Sequence, residues 1–164
     1  MNKPIAIITG ASTGIGQSLS IKLSDKYFIY LISRNKEKLQ KTAESIKNKN
    51  NQCKMIVADV SRSKSIDLIY SQIKNTQNIE LLINNAGVAI FNNISDLSIE
   101  DWNKQLNTNL NGSFFMTKMV IDDLSMSFLQ GSIIDWIDTL VQTGFEIHNP
   151  NEESACGCGV SVGF

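Results

Sequence analysis

Along residues 4–83, short apolar, β-branched runs alternate strictly with segments of helical periodicity, and this alternation restricts the chain more than any other feature. The apolar runs are 4–9, 27–32, 55–58 and 81–83, with a fifth at 132–137. Between them, residues 15–23 place apolar side chains at 15, 19 and 23, and residues 35–49 place Leu39, Ala43 and Ile46 on one face. Residues 61–74 do the same with Ile66, Ile69 and Ile73, and a longer helical segment runs from Ile99 to about Met126. Strands joined through helices by short connections lie parallel, and a parallel sheet needs helices on both faces. Right-handed crossovers then predict an α/β fold, a doubly wound parallel sheet with strand order 3-2-1-4-5.

Composition agrees with a packed domain. Of 164 residues, 42% are apolar and 19% charged, which excludes a disordered or collagen-like chain. The net charge of −1 hides a split: residues 1–90 carry 13 basic and 6 acidic side chains, residues 91–164 carry 2 and 10. The basic half has no basic run interleaved with aromatics, so no nucleic-acid partner is expected. No apolar run approaches the ~18 residues of a membrane helix, and the first residues lack a small-residue cleavage site, so neither a membrane span nor a leader is expected. The three cysteines, Cys53, Cys156 and Cys158, form no even framework, which predicts a reducing compartment and a cytoplasmic location.

The first strand-to-helix junction reads Thr9-Gly10-Ala11-Ser12-Thr13-Gly14-Ile15-Gly16. Gly10 allows a sharp turn, and Gly14 and Gly16 remove side chains where backbone N–H groups and a helix N-terminus approach a pyrophosphate. Asp59-Val60 follows the third strand, Asn84-Asn85-Ala86-Gly87 the fourth, and Asn107, Asn109, Asn111 and Gly112 interrupt the long helical segment. Asn and Gly are poor helix formers, so this cluster marks a kink, close packing or a site.

These four ordered motifs resemble the short-chain dehydrogenase/reductase family over residues 3–121. The resemblance implies a Rossmann-type, dinucleotide-binding domain over 1–137 and carbonyl or alcohol hydride transfer. It implies cofactor contacts at Gly10, Ser12, Thr13, Gly14, Ile15, Gly16, Ser33, Arg34, Asp59, Val60, Asn85, Ala86 and Gly87. Within it, Asp59 accepts a hydrogen bond from the adenine amino group, and Asn84–Gly87 faces the adenosine ribose. Asn109 is then the catalytic asparagine whose backbone holds a proton-relay water. Read without the family, Asp59 is an N-cap for the next helix, residues 84–87 are a turn and Asn109 is part of a kink. A carboxylate at the end of the second strand would bind a ribose 2′-hydroxyl and favour NAD(H). Ser33-Arg34 stands there instead, and a guanidinium pairs with a 2′-phosphate, so NADP(H) is favoured; the other reading of Arg34 is a solvated loop charge.

The family's chemistry needs a Ser, a Tyr and a Lys four residues after that Tyr, all beyond the fifth strand. This chain has no Tyr after Tyr70 and no Lys after Lys118, and Asp138 stands near the Ser position. Tyr70 and Lys74 have the right spacing but precede the fourth strand, where they are ordinary helix neighbours.

The tail resembles something else. Leu129-Gln130-Gly131, Gly144-Phe145, Asn149-Pro150-Asn151 and Cys156-Gly157-Cys158-Gly159 resemble the C-terminus of A-type iron–sulfur carriers. Cys156 and Cys158 are then possible ligands of a metal or iron–sulfur cluster, with Cys53 the only third thiol; otherwise they are free thiols in a tail. His148 reads as a loop residue or a ligand.

The expectation is therefore a join near residues 122–131, with an incomplete reductase before it and a carrier-like tail over 138–164. Such a truncated or chimeric chain would be an NADP(H)-binding reductase by ancestry without turnover, a non-enzymatic dinucleotide-binding module, or a cluster carrier. Leu106, Leu110 and Phe114 are expected against the sheet. Phe115, Met119 and an exposed fifth strand are expected to be left for self-association.

Overall fold

The computed structural model describes residues 3–74, 78–121, 131–138, 143–148, 150, 154–155 and 162–163. It divides into two compact units, Met1–Val120 and Ile121–Phe164.

In the first unit, strands β1 (Ile5–Thr9), β2 (Phe28–Ser33), β3 (Cys53–Val57) and β4 (Ile79–Ile83) form one sheet in the order β3-β2-β1-β4. Every pair is parallel, with Ile7 opposite Tyr30 and Leu82, and Ile32 opposite Ile56. Helices α1 (Gly14–Leu23), α2 (Lys36–Lys47) and α3 (Ser63–Ile73) connect them. Side chains alternate across a strand, so β1 and β2 serve two cores. Ile7, Tyr30 and Ile32 join Ile56, Ile69, Ile73 and Met116 on one face. Ala6, Ile8, Ile29 and Leu31 join Leu39, Ala43 and Ile46 on the other. The doubly wound parallel sheet is thus present, with the inward faces of α2 and α3 as the periodicity predicts. The inward face of α1 differs: Gly16 and Ser20 are buried, whereas Ile15 is 73% exposed. Small residues there bring α1 close to the strands.

The long helical segment is three pieces. Helix α4 (Ile99–Leu106) is capped by Ser98, whose hydroxyl accepts the Asp101 amide at 3.0 Å. A π-helical turn follows over Asn107–Asn111, and helix α5 (Gly112–Val120) completes it. The wider turn changes which residues face inward. Thr108, Gly112 and Met116 are buried, with Met119 and Val120 packed against the core. Leu110 and Phe114 are 62% and 59% exposed, and no residue of α4 is buried. The expected face through Leu106, Leu110 and Phe114 is corrected accordingly. Gly112 fixes the inward face: a Cβ there would meet the Val60 side chain at 2.9 Å.

The expected fifth parallel strand is also corrected. Strand β5 (Ile133–Asp138) pairs antiparallel with β6 (Thr143–His148), Ile133 opposite His148 and Asp138 opposite Thr143, and lies in the second unit. A four-residue connection suits a hairpin, whereas a parallel neighbour needs a crossover of a dozen residues or more. The first compact unit ends at Val120. Two short strands, β7 (Ser154–Ala155) and β8 (Val162–Gly163), pair antiparallel. Cys156 and Cys158 lie outside the described residues, as do the side chain of Asp138 and the residues of the expected join at 122–130. Among the described residues, no helix is long and apolar enough to cross a membrane.

Candidate functional site

The carboxyl ends of all four parallel strands meet around one cavity of about 290 Å³. Open α/β sheets bind ligands in such a crevice, where the strand order reverses. On the β1 side it is lined by Gly10, Ser12 and Thr13; on the β4 side by Asn85, Ala86 and Gly87. The β2 and β3 ends add Ile32, Ser33, Arg34, Ala58, Asp59 and Val60, and the π-turn adds Thr108.

Buried polar contacts clamp the two loops beside β1 and β4. The Thr9 hydroxyl, on a residue 1% exposed, accepts the Asn85 and Ala86 amides, each at 3.0 Å. The Asn85 side chain donates to the carbonyls of Thr9 at 3.1 Å and Gly10 at 3.3 Å. Gly10 (φ +65°) and Gly14 (φ +58°) take left-handed backbone, which a Cβ disfavours. A Cβ on Gly14 would meet nothing, whereas one on Gly16 would collide with the Gly10 carbonyl and the Asn85 amide. Gly16 therefore serves loop closure, and Gly14, Ile15 and Gly16 do not line the cavity. Thr13, the N-cap of α1, makes no side-chain capping bond, and no acidic residue stands in the first turn. Anion-binding helix N-termini have this character.

The β2 side carries the charge. The Ser33 hydroxyl donates to the Ser12 hydroxyl at 2.8 Å, which joins the β2 end to the glycine loop. Asp59 sits between two arginines: its Oδ2 is 3.8 Å from Arg34 Nη1 and 3.8 Å from Arg62 Nε. Its Oδ1 accepts the Ser61 amide at 3.1 Å and the Ser61 hydroxyl at 2.7 Å. Asp59 therefore closes a turn ahead of α3 instead of capping it; Arg62 occupies the N-cap position. A second, wider cavity of about 680 Å³ adjoins this edge, lined by Arg34, Asp59, Arg62 and residues of α4 and the π-turn.

Asn109 lies on the π-turn and does not line either cavity. Its side-chain oxygen accepts the Val88 amide at 2.8 Å, and its side-chain nitrogen donates to the Val88 carbonyl at 2.9 Å. This pair ties the loop after β4 to the interrupted helix. The Asn109 carbonyl accepts the Ser113 hydroxyl at 2.9 Å. Tyr70 is exposed on α3 and, like Lys74, is absent from both cavities. Cys53, on β3, contacts the Ala43 carbonyl, and burial pushes its thiol pKa up against the opposing pull of Lys47. It is thus held away from the thiolate form a metal ligand needs. Among the described residues, no three His, Cys, Asp or Glu side chains gather to hold a metal.

A family profile described as short chain dehydrogenase matches residues 4–140. The chain belongs to the short-chain dehydrogenase family. An uncharacterized oxidoreductase of Bacillus subtilis, YusZ, is 35% identical over 123 residues, spanning 74% of this chain and 44% of that protein. The 3-oxoacyl-[acyl-carrier-protein] reductase FabG of Buchnera aphidicola is 33% identical over 135 residues, 80% of this chain and 54% of the relative. Among solved structures, an alcohol dehydrogenase of Thermococcus sibiricus complexed with 5-hydroxy-NADP superposes with a TM-score of 0.69 at 27% identity. That match covers 75% of this chain and 54% of the archaeal enzyme. The chain spans about half the length of these short-chain dehydrogenase relatives. The profile match extends to residue 140, across the start of the carrier-like segment at 129, and nothing in these matches supports an iron–sulfur carrier tail.

The structure brings together ten of the thirteen expected cofactor residues, leaving out Gly14, Ile15 and Gly16. Sequence reasoning missed Ile32, Ala58 and Thr108, which line the cavity, and Thr9, which organises it. Thr108 was signalled only by its place inside the asparagine cluster.

Proposed function

We propose that this chain binds NADP(H) at the carboxyl ends of β1–β4 and that these 164 residues do not reduce carbonyls. The observation that carries the first half is Arg34. It stands at the end of β2, lines the same cavity as Gly10 and Ser12, and no carboxylate accompanies it on that strand end. In this reading Arg34, with the Ser12 and Ser33 hydroxyls, holds the 2′-phosphate. Asp59 and Val60 bound the adenine, and Asn85–Gly87 bound its ribose. The backbone of the glycine loop from Gly10 to Thr13, at the N-terminal end of α1, holds the pyrophosphate. The complex of the archaeal relative with 5-hydroxy-NADP supports the same choice of cofactor.

When bound, the cofactor supplies a hydride. What the chain must add is a proton for the resulting alkoxide, a contribution worth about 10²–10⁴-fold in rate. Asn109 organises backbone and offers no acid, and Tyr70 lies away from the cavity. The chain then acts as a dinucleotide-binding module of a reductase family. Self-association, expected along this helix, falls to Leu110 and Phe114 rather than Phe115 and Met119, because only the former are largely exposed.

The test is calorimetric binding of NADPH combined with its oxidation in the presence of ketones, aldehydes and quinones. Binding without oxidation is expected. Absence of binding removes the site. Turnover lost in Tyr70→Phe would place the acid on α3, and turnover surviving that change would mean another acid acts.

A further inference from the structure

We propose that Arg62 is a positioning residue for 2′-phosphate recognition, acting through Asp59: it retains the Asp59 carboxylate when Arg34 turns to the phosphate. The inference rests on the assignment of Arg34 to the 2′-phosphate made above.

Three observations carry it. Arg34 and Arg62 approach the same oxygen, Asp59 Oδ2, each at 3.8 Å. The carboxylate is anchored by its other oxygen to the Ser61 amide and hydroxyl, and its side chain is 21% exposed against 54% for Arg34 and 78% for Arg62. The arginines are therefore the more exposed partners and Asp59 the anchored one. Finally, Arg34 lines both cavities, whereas Arg62 lines only the second. Arg34 thus faces the expected phosphate position and Arg62 does not.

A phosphate arriving beside Ser12 and Ser33 competes with Asp59 for the Arg34 guanidinium. With one arginine, the exchange would leave a largely buried carboxylate without a counter-ion beside a dianion, two like charges at short range. With Arg62 on the same turn, three residues along, Asp59 keeps a cation throughout. Arg34 is then released at little electrostatic loss. Because all three groups reach solvent, the expected effect of removing Arg62 is about threefold in affinity.

The measurement is isothermal titration of the full chain with two probes, adenosine 2′,5′-bisphosphate and AMP, which differ only in the 2′-phosphate. The ratio of their dissociation constants is read at low ionic strength. Arg62→Gln is expected to lower the preference for the bisphosphate about threefold and to leave AMP binding unchanged. In an Asp59→Asn background, the same change at Arg62 is expected to do nothing; Asp59→Ser, which keeps an acceptor for the Ser61 amide, serves as a second background. No effect of Arg62→Gln in the unmodified chain overturns the proposal. An equal effect in both backgrounds also overturns it, because Arg62 would then act on the phosphate directly. Arg34→Ala separates the two levels: if it leaves the ratio unchanged, the assignment of Arg34 falls, and this inference with it. If the unmodified chain binds neither probe, both fall.

Discussion

The two sides of the cavity are built by opposite means. On the β1–β4 side, glycines, a buried threonine hydroxyl and an asparagine amide lock two loops together through neutral, partly buried contacts. On the β2–β3 side, arginines and a carboxylate meet at 3.8 Å in contact with solvent. The first side has one arrangement, because each buried donor and acceptor has a fixed partner. The second is held by exposed ion pairs, which are individually weak. Shape and stability belong to the first side, and the proposed choice between cofactors rests on the second.

The sharpest way to break this contrast is at Gly16. Gly16→Ala drives a Cβ into the Gly10 carbonyl and the Asn85 amide. A loss of about 2–3 kcal/mol is expected, with the melting temperature lowered by roughly 10 °C or more and nucleotide binding abolished. Gly14→Ala meets open space and carries only the left-handed backbone penalty, about 1 kcal/mol. Equal losses at the two positions would remove the distinction between them.

Thr9→Val keeps the shape and removes the acceptor of two amides. Denaturant unfolding should report a loss of about 1–3 kcal/mol, largely restored in Thr9→Ser. An unchanged midpoint in Thr9→Val would mean that the clamp contributes nothing.

On the charged side, Arg34→Asp should lower the melting temperature by no more than about 5 °C, well short of Gly16→Ala, because its ion pair is exposed. It should remove the preference for NADP+ over NAD+, about tenfold. A large loss of stability would mean that this edge is structural too.

The smallest expected effect is at Cys53, on β3. Its pKa is raised by burial, so the folded chain retains its proton longer than the unfolded chain does. The stabilising contribution is full below the unfolded thiol pKa and declines as pH rises through the raised, folded value. Melts above pH 9 should therefore fall faster for the unmodified chain than for Cys53→Ala. Parallel pH profiles would contradict this.

How much of this was legible in the sequence follows the same division. The four parallel strands and the inward faces of α2 and α3 follow from periodicity, because burial on those faces is what periodicity reports. The glycine loop and Asn85–Gly87 were legible as motifs, but not the contact between them: Thr9 ends an apolar run and nothing in its neighbours marks its hydroxyl as an acceptor. The asparagine cluster announced an interruption, yet not its form. A π-turn displaced the helical phase, so Leu110 and Phe114 left the face that a regular helix would have given them. Strand β5 was read correctly as a strand and wrongly as a neighbour of β4, since an apolar run carries no record of its partner. The double arginine contact on Asp59 escaped because two exposed charges three residues apart resemble any solvated turn.

The central claim, that this short-chain dehydrogenase chain holds NADP(H) through a rigid glycine side and a selective arginine side, is tested most directly by titrating the unmodified protein with NADP+ and NAD+ under identical low-salt conditions. The account predicts that NADP+ binds about tenfold tighter and that the difference shrinks as salt is raised. Equal affinity at all salt concentrations, or tighter binding of NAD+, would contradict it.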